Sequence, residues 1–282
     1  MTGPDDAGLA ARLRAAGCVF AEEEAQVLMS AAAGPRELAS MVERRVAGEP
    51  LEQVVGWAEF CGLRIAVEPG VFVPRRRTEF LVERAVALAG QAAGHPGRDG
   101  AAGRIVALDM CCGSGAVGAA LASMLAGVEV HAADIDPAAV RCARRNLAAA
   151  GGRVYTGDLY QPLPGTLRGR VTILTANVPY VPTPQTALLP AEARVHEPAR
   201  AYDGGADGLD VLRRVAAGAP GWLAPGGSVV METTQRQQGK ALAILAGHGL
   251  TASAAHSAEL ETTVVMGTMP PAAGAAGSHH PA

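Results

Sequence analysis

Ile105-Val106-Ala107-Leu108-Asp109-Met110-Cys111-Cys112-Gly113-Ser114-Gly115 carries an apolar run into a glycine turn, and the helix-forming stretch Ala116 to Ala126 follows at once. A short apolar run bounded by turn residues reads as a buried strand. Glycines at 113 and 115 let the backbone pass close to a ligand, and the helix after them aims its N-terminus at the same point. The next strand-like run, Val128 to Ala133, ends in Asp134, 19 positions after Gly115. An acid at that distance is placed to hold ribose hydroxyls.

The same rhythm continues outward. Strands are expected near 104–110, 128–134, 153–157, 171–176 and 228–233, with helices near 116–126, 137–150, 206–218 and 235–247. Asp136-Pro137 reads as the N-cap and first turn of one of these helices. Alternating strands and helices argue for an α/β fold with a parallel, doubly wound sheet. Two further strand-like runs near 250–257 and 262–269 lack a helix between them, so the last is expected to run antiparallel at or near the edge.

Upstream, Leu9, Leu13, Val27, Leu28, Leu38, Met41, Val42 and Val46 recur at helical spacing, broken by Gly34-Pro35. This predicts a small helical domain over 1–55. Short β-rich runs between Trp57 and Val73 predict a hairpin linker within 56–77. The catalytic domain is then expected over 78–270, opening on a helix that Thr78 caps and that runs to about Ala89. Gln91 to Gly103 reads as a mobile link, and 271–282, rich in Gly, Ala and Pro, as a disordered tail.

A second stretch specifies the chemistry. Val171 to Ala176 is an apolar run that ends in Asn177-Val178-Pro179-Tyr180. An Asn side-chain oxygen and the carbonyl of Val178 both accept hydrogen bonds from one planar NH2 group. Tyr180 offers a flat face beside it, and Pro179 biases Val178 toward an extended conformation. Asn near proline is also a common turn former, so the turn gains its meaning from the glycine site upstream.

Gly113, Gly115 and Gly118 with Asp134 also satisfy the dinucleotide pattern, which keeps a nicotinamide-dependent dehydrogenase open. Asp109, however, precedes the glycine turn, where a carboxylate faces a cationic amino group better than a pyrophosphate. A ligand with an ammonium, a sulfonium and an adenosine suits that order, and S-adenosyl-L-methionine is such a ligand.

With these pieces in order, the chain resembles the HemK-type protein glutamine methyltransferases. The resemblance rests on Pro74-Arg75-Arg76-Arg77-Thr78-Glu79, the run from Leu108 to Gly115, Asp134-Ile135-Asp136-Pro137 with Asn146, Gly157-Asp158-Leu159, and Asn177 to Tyr180. Glu197-Pro198, Gly204 to Leu209, and Pro225-Gly226-Gly227 running to Glu232 and Gln235 extend it. It implies a seven-stranded, doubly wound class I methyltransferase sheet, whose usual ending matches the two strand-like runs at 250–257 and 262–269, and a catalytic turn of Asn177, Val178, Pro179 and Tyr180. It also implies cofactor binding by Asp109, Cys111, Cys112, Gly113, Ser114, Gly115, Asp134, Ile135, Asp158, Leu159 and Asn177, with Asp158 taking the exocyclic amine of adenine. The implied acceptor is the glutamine in a Gly-Gly-Gln loop of a peptide chain release factor, which the N-terminal helices help to dock. Val178 stands where proline is common, Cys111-Cys112 where glycine and a small residue are usual, and Arg76 where proline is frequent. These departures imply a divergent branch.

A planar NH2 on a nucleic-acid base or a small amide metabolite fits the same turn, and a cofactor-binding protein without catalysis is a further reading. With a net charge of −3 and 4% aromatic residues, the chain is poorly equipped to neutralise phosphates or stack a flipped-out base. Five cysteines at 18, 61, 111, 112 and 142 show no C-x-x-C spacing and imply neither a disulfide framework nor a metal site. No run approaches the length of a membrane span and the start carries acids, so a cytoplasmic protein is expected.

Overall fold

The run that opens at Ile105 forms a central strand of a seven-stranded sheet. A computed structural model describes residues 6–93 and 104–271. Helices α1 (Asp6–Ala15), α2 (Ala21–Ala31), α3 (Pro35–Val46) and α4 (Leu51–Val55) come first, then the hairpin β1 (Trp57–Phe60) and β2 (Leu63–Ala66). There follow α5 (Glu79–Ala93), β3 (Val106–Met110), α6 (Ala116–Met124), β4 (Glu129–Asp134), α7 (Pro137–Leu147), β5 (Arg153–Thr156) and β6 (Val171–Ala176). The chain continues through α8 (Ala191–His196), α9 (Asp210–Gly218), β7 (Leu223–Thr233), α10 (Gln238–Gly247), β8 (Thr251–Ser257) and β9 (Thr262–Thr268).

In space the strands lie in the order β5-β4-β3-β6-β7-β9-β8. The first five are parallel to one another, while β9 runs antiparallel to both of its neighbours, one place in from the edge. Direction of winding reverses at β3, the point where open α/β sheets bind their ligands. All of β3 and β6 is buried, as a strand covered on both faces must be. Successive side chains alternate: Val106, Leu108 and Met110 pack with Leu212, Val215 and Leu245 of α9 and α10, whereas Ala107 packs with Leu81, Leu121 and Leu147 of α5, α6 and α7. Asp109 shares the second face and therefore points toward α6.

The N-terminal helices enclose their own core of Leu9, Leu13, Leu28, Met41, Val42 and Val54. Val46, read as part of that stripe, is instead exposed. Two polar side chains join this unit to α8 and the linker. Arg45 pairs with Glu24 and Glu192, and buried Gln53 donates to the carbonyls of Val71 (3.0 Å) and His196 (3.4 Å).

Several boundaries differ from expectation for identifiable reasons. Thr78 ends a 3-10 turn, Arg76–Thr78, and its hydroxyl is engaged by Glu232 and Asn177 rather than capping α5. Residues 91–93 continue α5, and the remainder of the expected link, 94–103, lies outside the described residues, as does 272–282 of the tail. Helix α9 begins at Asp210 and not near 206, because Gly205 (φ +86°) and Gly208 (φ +77°) hold a left-handed backbone. Strand β7 starts early, at Leu223, and takes up Pro225-Gly226-Gly227 through a register shift against β6. Asp136 does cap α7, accepting from Ala138 N at 2.8 Å. No helix among the described residues is long and apolar enough to cross a membrane.

Candidate active site

Strand register assembles the site. Met110 pairs with Ala133 of β4 on one side and with Ala176 of β6 on the other. One residue further along each strand, Asp134, Cys111 and Asn177 therefore come to the same end of the sheet. Asp134 in turn pairs with Thr156, so Gly157-Asp158-Leu159 leaves the sheet beside it.

A cavity of about 300 Å³ opens at these strand ends. Asp109, Cys111, Cys112, Gly113, Ser114, Asp134, Ile135, Asp158, Leu159 and Asn177 all line it, with Pro179. Gly115 does not; it lies against α7, where a Cβ would come within 3.0 Å of Ala143. Val178 and Tyr180 face a second cavity of about 300 Å³, lined also by Phe72, Glu192, Glu197 and Tyr202. Asn177 borders both.

The carboxylates of the first cavity differ in environment. Asp109 is 2% exposed, accepts from Gly118 N (2.9 Å) and from the Thr175 hydroxyl (3.3 Å), and is pushed up to about 7 by burial. Gly118 is small because that oxygen lies 3.3 Å from where a Cβ would sit. Asp134 accepts from Gly113 N at 2.9 Å and from Asp136 N at 2.8 Å, so it shapes the glycine turn as well as facing the cavity, and burial raises its pKa. Asp158 is paired with Arg214 of α9 at 2.6 Å. At the mouth, Ile135 is an apolar side chain 53% exposed, a surface ready for a flat ring. Burial pushes the thiols of Cys111 and Cys112 up, and the neighbouring Asp109 and Asp134 carboxylates act in the same direction.

Two residues lining this cavity, Cys111 (φ +56°) and Leu159 (φ +48°), take the left-handed backbone that favours glycine. Strain of this kind persists where the surrounding structure enforces it. Cys111→Gly is expected to leave the fold intact and raise stability by up to ~1 kcal/mol. Thermal denaturation measures this, and a lower melting temperature would show that the Cys111 side chain contributes packing that outweighs the strain.

The Asn177 turn is braced from behind. Asn177 Nδ2 donates to Thr78 Oγ1 at 3.2 Å, and no donor among the described residues reaches Asn177 Oδ1. Tyr180 donates its hydroxyl to Glu232 (3.0 Å), and burial lifts its pKa. Gln237 donates to the Tyr180 carbonyl (2.9 Å) and to that of Asp207 (3.0 Å). Gly204 and Gly208 press directly on the turn: a Cβ there would lie 2.6 Å from the Pro179 carbonyl oxygen and 2.3 Å from that of Tyr180. Asn146, on α7, donates to the carbonyls of Ala66 (2.9 Å) and Ser114 (2.8 Å) and so fastens the hairpin to the glycine turn. Glu197 is structural in its bonds, accepting from Val73 N (3.1 Å) and Arg75 (2.6 Å), and burial raises its pKa.

Residues 99–189 match the "Methyltransferase small domain" family. The chain is 38% identical over 203 residues to the release factor glutamine methyltransferase of Geobacter sulfurreducens, spanning 70% of this chain and 66% of that one. Against the protein of the same description from Bordetella pertussis it is 38% identical, over 76% of this chain and 74% of the other. For the Bradyrhizobium diazoefficiens counterpart the identity is 33%, over 81% of each chain. Among solved structures, a methyltransferase from Pyrococcus furiosus superposes with a TM-score of 0.52 at 16% identity, covering 82% of this chain and 99% of that one. The hMettl16 catalytic domain, solved with a MAT2A 3'UTR hairpin, superposes at 0.53 and 12% identity, over 83% and 84% of the two chains. These two likenesses establish the α/β methyltransferase fold.

Proposed function

Because the chain belongs to the release factor glutamine methyltransferase family, we propose that it transfers a methyl group from S-adenosylmethionine to the side-chain nitrogen of a glutamine in a peptide chain release factor. One observation carries the assignment of the site: Asn177 borders both cavities, so a nitrogen held there from the second cavity meets whatever fills the first.

The first cavity suits the cofactor by its donor set. Asp109, a buried carboxylate with no cation among its hydrogen-bond partners, would face the ammonium, and Asp134 the ribose hydroxyls. Ile135 and Leu159 offer apolar surface to adenine, with Asp158 at its exocyclic amine. When bound, S-adenosylmethionine supplies a methyl carried on a cationic sulfonium and open to in-line displacement.

The protein's own part is orientation and exclusion of water. Asn177 Oδ1 and the Val178 carbonyl accept the two N–H bonds of the acceptor amide, which lets that delocalised nitrogen pyramidalise toward the methyl. The nitrogen so held would take the methyl as the sulfonium released it as a thioether, and the surplus N–H proton, held by Asn177 Oδ1 or the Val178 carbonyl during transfer, would leave to solvent once the site opens. Tyr180, beside the turn, packs against the amide. Arg45 of α3 pairs with Glu192 at the wall of the second cavity, which sets the N-terminal helices beside the acceptor's entrance, where family membership gives them a part in docking the protein substrate. A protein acceptor is favoured over nucleic acid by the net charge of −3 and the scarcity of aromatic residues. Five free cysteines fit the cytoplasm as its location.

Incubation with radiolabelled methyl donor and purified release factor, ribosomal RNA or small amides tests the reading. Label is expected on the release factor glutamine; label confined to RNA or to a small amide would overturn it. Asp134→Ala is expected to weaken cofactor binding by the worth of charge-assisted hydrogen bonds, on the order of 1.5–3 kcal/mol. An unchanged dissociation constant in calorimetry would remove Asp134 from the binding set.

A further inference from the structure

We propose that Glu232, acting through Thr78, fixes which end of the Asn177 carboxamide faces the methyl acceptor, which makes both of them positioning residues; the inference rests on the acceptor site assigned above. Glu232 lies near the end of β7, and its side chain is 1% exposed. Its Oε1 accepts from Arg77 Nε (3.1 Å) and the Tyr180 hydroxyl (3.0 Å), and its Oε2 from the Thr78 hydroxyl (2.7 Å).

The direction of this chain follows from proton counting. A carboxylate paired with a guanidinium offers acceptors only, so the single hydroxyl proton of Thr78 goes to Glu232. Thr78 Oγ1 then has only lone pairs for Asn177, 3.2 Å away, and the group turned toward it is the NH2. The two ends of a carboxamide are told apart by such partners. Asn177 Oδ1 is thereby left for the cavities, and a carboxamide oxygen is what an incoming NH2 requires. Reversal of the amide would set donor against donor.

The same count predicts what a neutral replacement does. In Glu232→Gln the guanidinium of Arg77 draws the new carboxamide oxygen, leaving its NH2 toward Thr78. The Thr78 proton is then directed to Asn177 and favours the reversed amide. Thr78→Val deletes the relay while keeping side-chain volume, and Thr78→Ser keeps the relay.

The test compares methyl transfer to an intact release factor by wild type, Thr78→Val, Thr78→Ser, Glu232→Gln and the Thr78→Val/Glu232→Gln pair. Thr78→Val and Glu232→Gln are expected to lower kcat about 30-fold, the worth of one buried hydrogen bond in the transition state, with KM for the release factor within roughly twofold. Thr78→Ser should restore kcat to within about threefold of wild type, and the pair should be no worse than Glu232→Gln alone by more than about threefold, because both break one relay. The proposal is overturned if Thr78→Val keeps wild-type kcat, if Thr78→Ser is as impaired as Thr78→Val, or if the two losses multiply. A readout independent of turnover separates this failure from failure of the functional reading: the side-chain amide resonance of Asn177 by NMR, identified by its absence in Asn177→Ala. It should move in Thr78→Val and Glu232→Gln and stay in place in Thr78→Ser. If wild type methylates no release factor, the function proposed above falls while these shifts still decide the relay, and an unmoved resonance in Thr78→Val overturns it.

Discussion

Asn177→Ala is expected to lower methyl transfer at least ~10³-fold, while the dissociation constant of S-adenosylhomocysteine changes by no more than about twofold. The two effects separate because Asn177 borders the cofactor cavity without being one of its charged groups, whereas among the side chains that line both cavities, Phe72, Asn177 and Ala201, it alone carries a hydrogen-bond acceptor. An alanine there leaves the amide nitrogen of the substrate with one acceptor, the Val178 carbonyl, and with freedom to rotate away from the line of attack. Isothermal calorimetry and single-turnover transfer assays check the two halves. Retained turnover would exclude the presenting role, and a matching loss of cofactor affinity would mean that the turn had collapsed.

Gly208→Ala should be almost as damaging by a different route. The added methyl group would lie 2.3 Å from the Tyr180 carbonyl oxygen and 2.4 Å from Gln237 Nε2, in a backbone at φ +77°. Gln237 is the group that ties the Tyr180 carbonyl down, so the substitution wedges the turn away from its support. Strain and clash together are expected to cost about 2–4 kcal/mol, and displacement of the turn to lower kcat roughly 10²-fold. Gly239→Ala is the control: nothing lies within 4 Å of its added Cβ, and a helical alanine there should be neutral or slightly stabilising. Equal melting temperatures and activities for the two variants would contradict the bracing role of Gly208.

What the sequence made legible is local. The apolar run into Gly113 fixed β3 because a strand buried on both faces has to be apolar throughout, and Asp136-Pro137 announced its helix through a cap that spans two residues. The end of β6 at Asn177 was readable for the same reason, and the shared register of β3, β4 and β6 then brought Asp134, Cys111 and Asn177 together. What stayed hidden depends on partners distant along the chain. Thr78 carries a good capping side chain, yet Glu232, 154 residues away, engages its hydroxyl. Asp158 lines the cavity as its position suggests, but its pairing with Arg214, 56 residues on, could not be read from the sequence. Nothing in the spacing of either residue signals that partner. The late start of α9 belongs with these, since Gly208, which holds a left-handed backbone just ahead of it, lies against the Tyr180 carbonyl of the Asn177 turn.

Whether the two cavities present amide and methyl to each other is decided by a crystal structure with S-adenosylhomocysteine and a Gly-Gly-Gln peptide. The cofactor sulfur is expected beside Gly113 in the first cavity, and the glutamine amide entering from the second with its nitrogen hydrogen-bonded to Asn177 Oδ1 and the Val178 carbonyl. A glutamine bound elsewhere, or a nitrogen too far from the sulfur for a methyl group to bridge them, would contradict it.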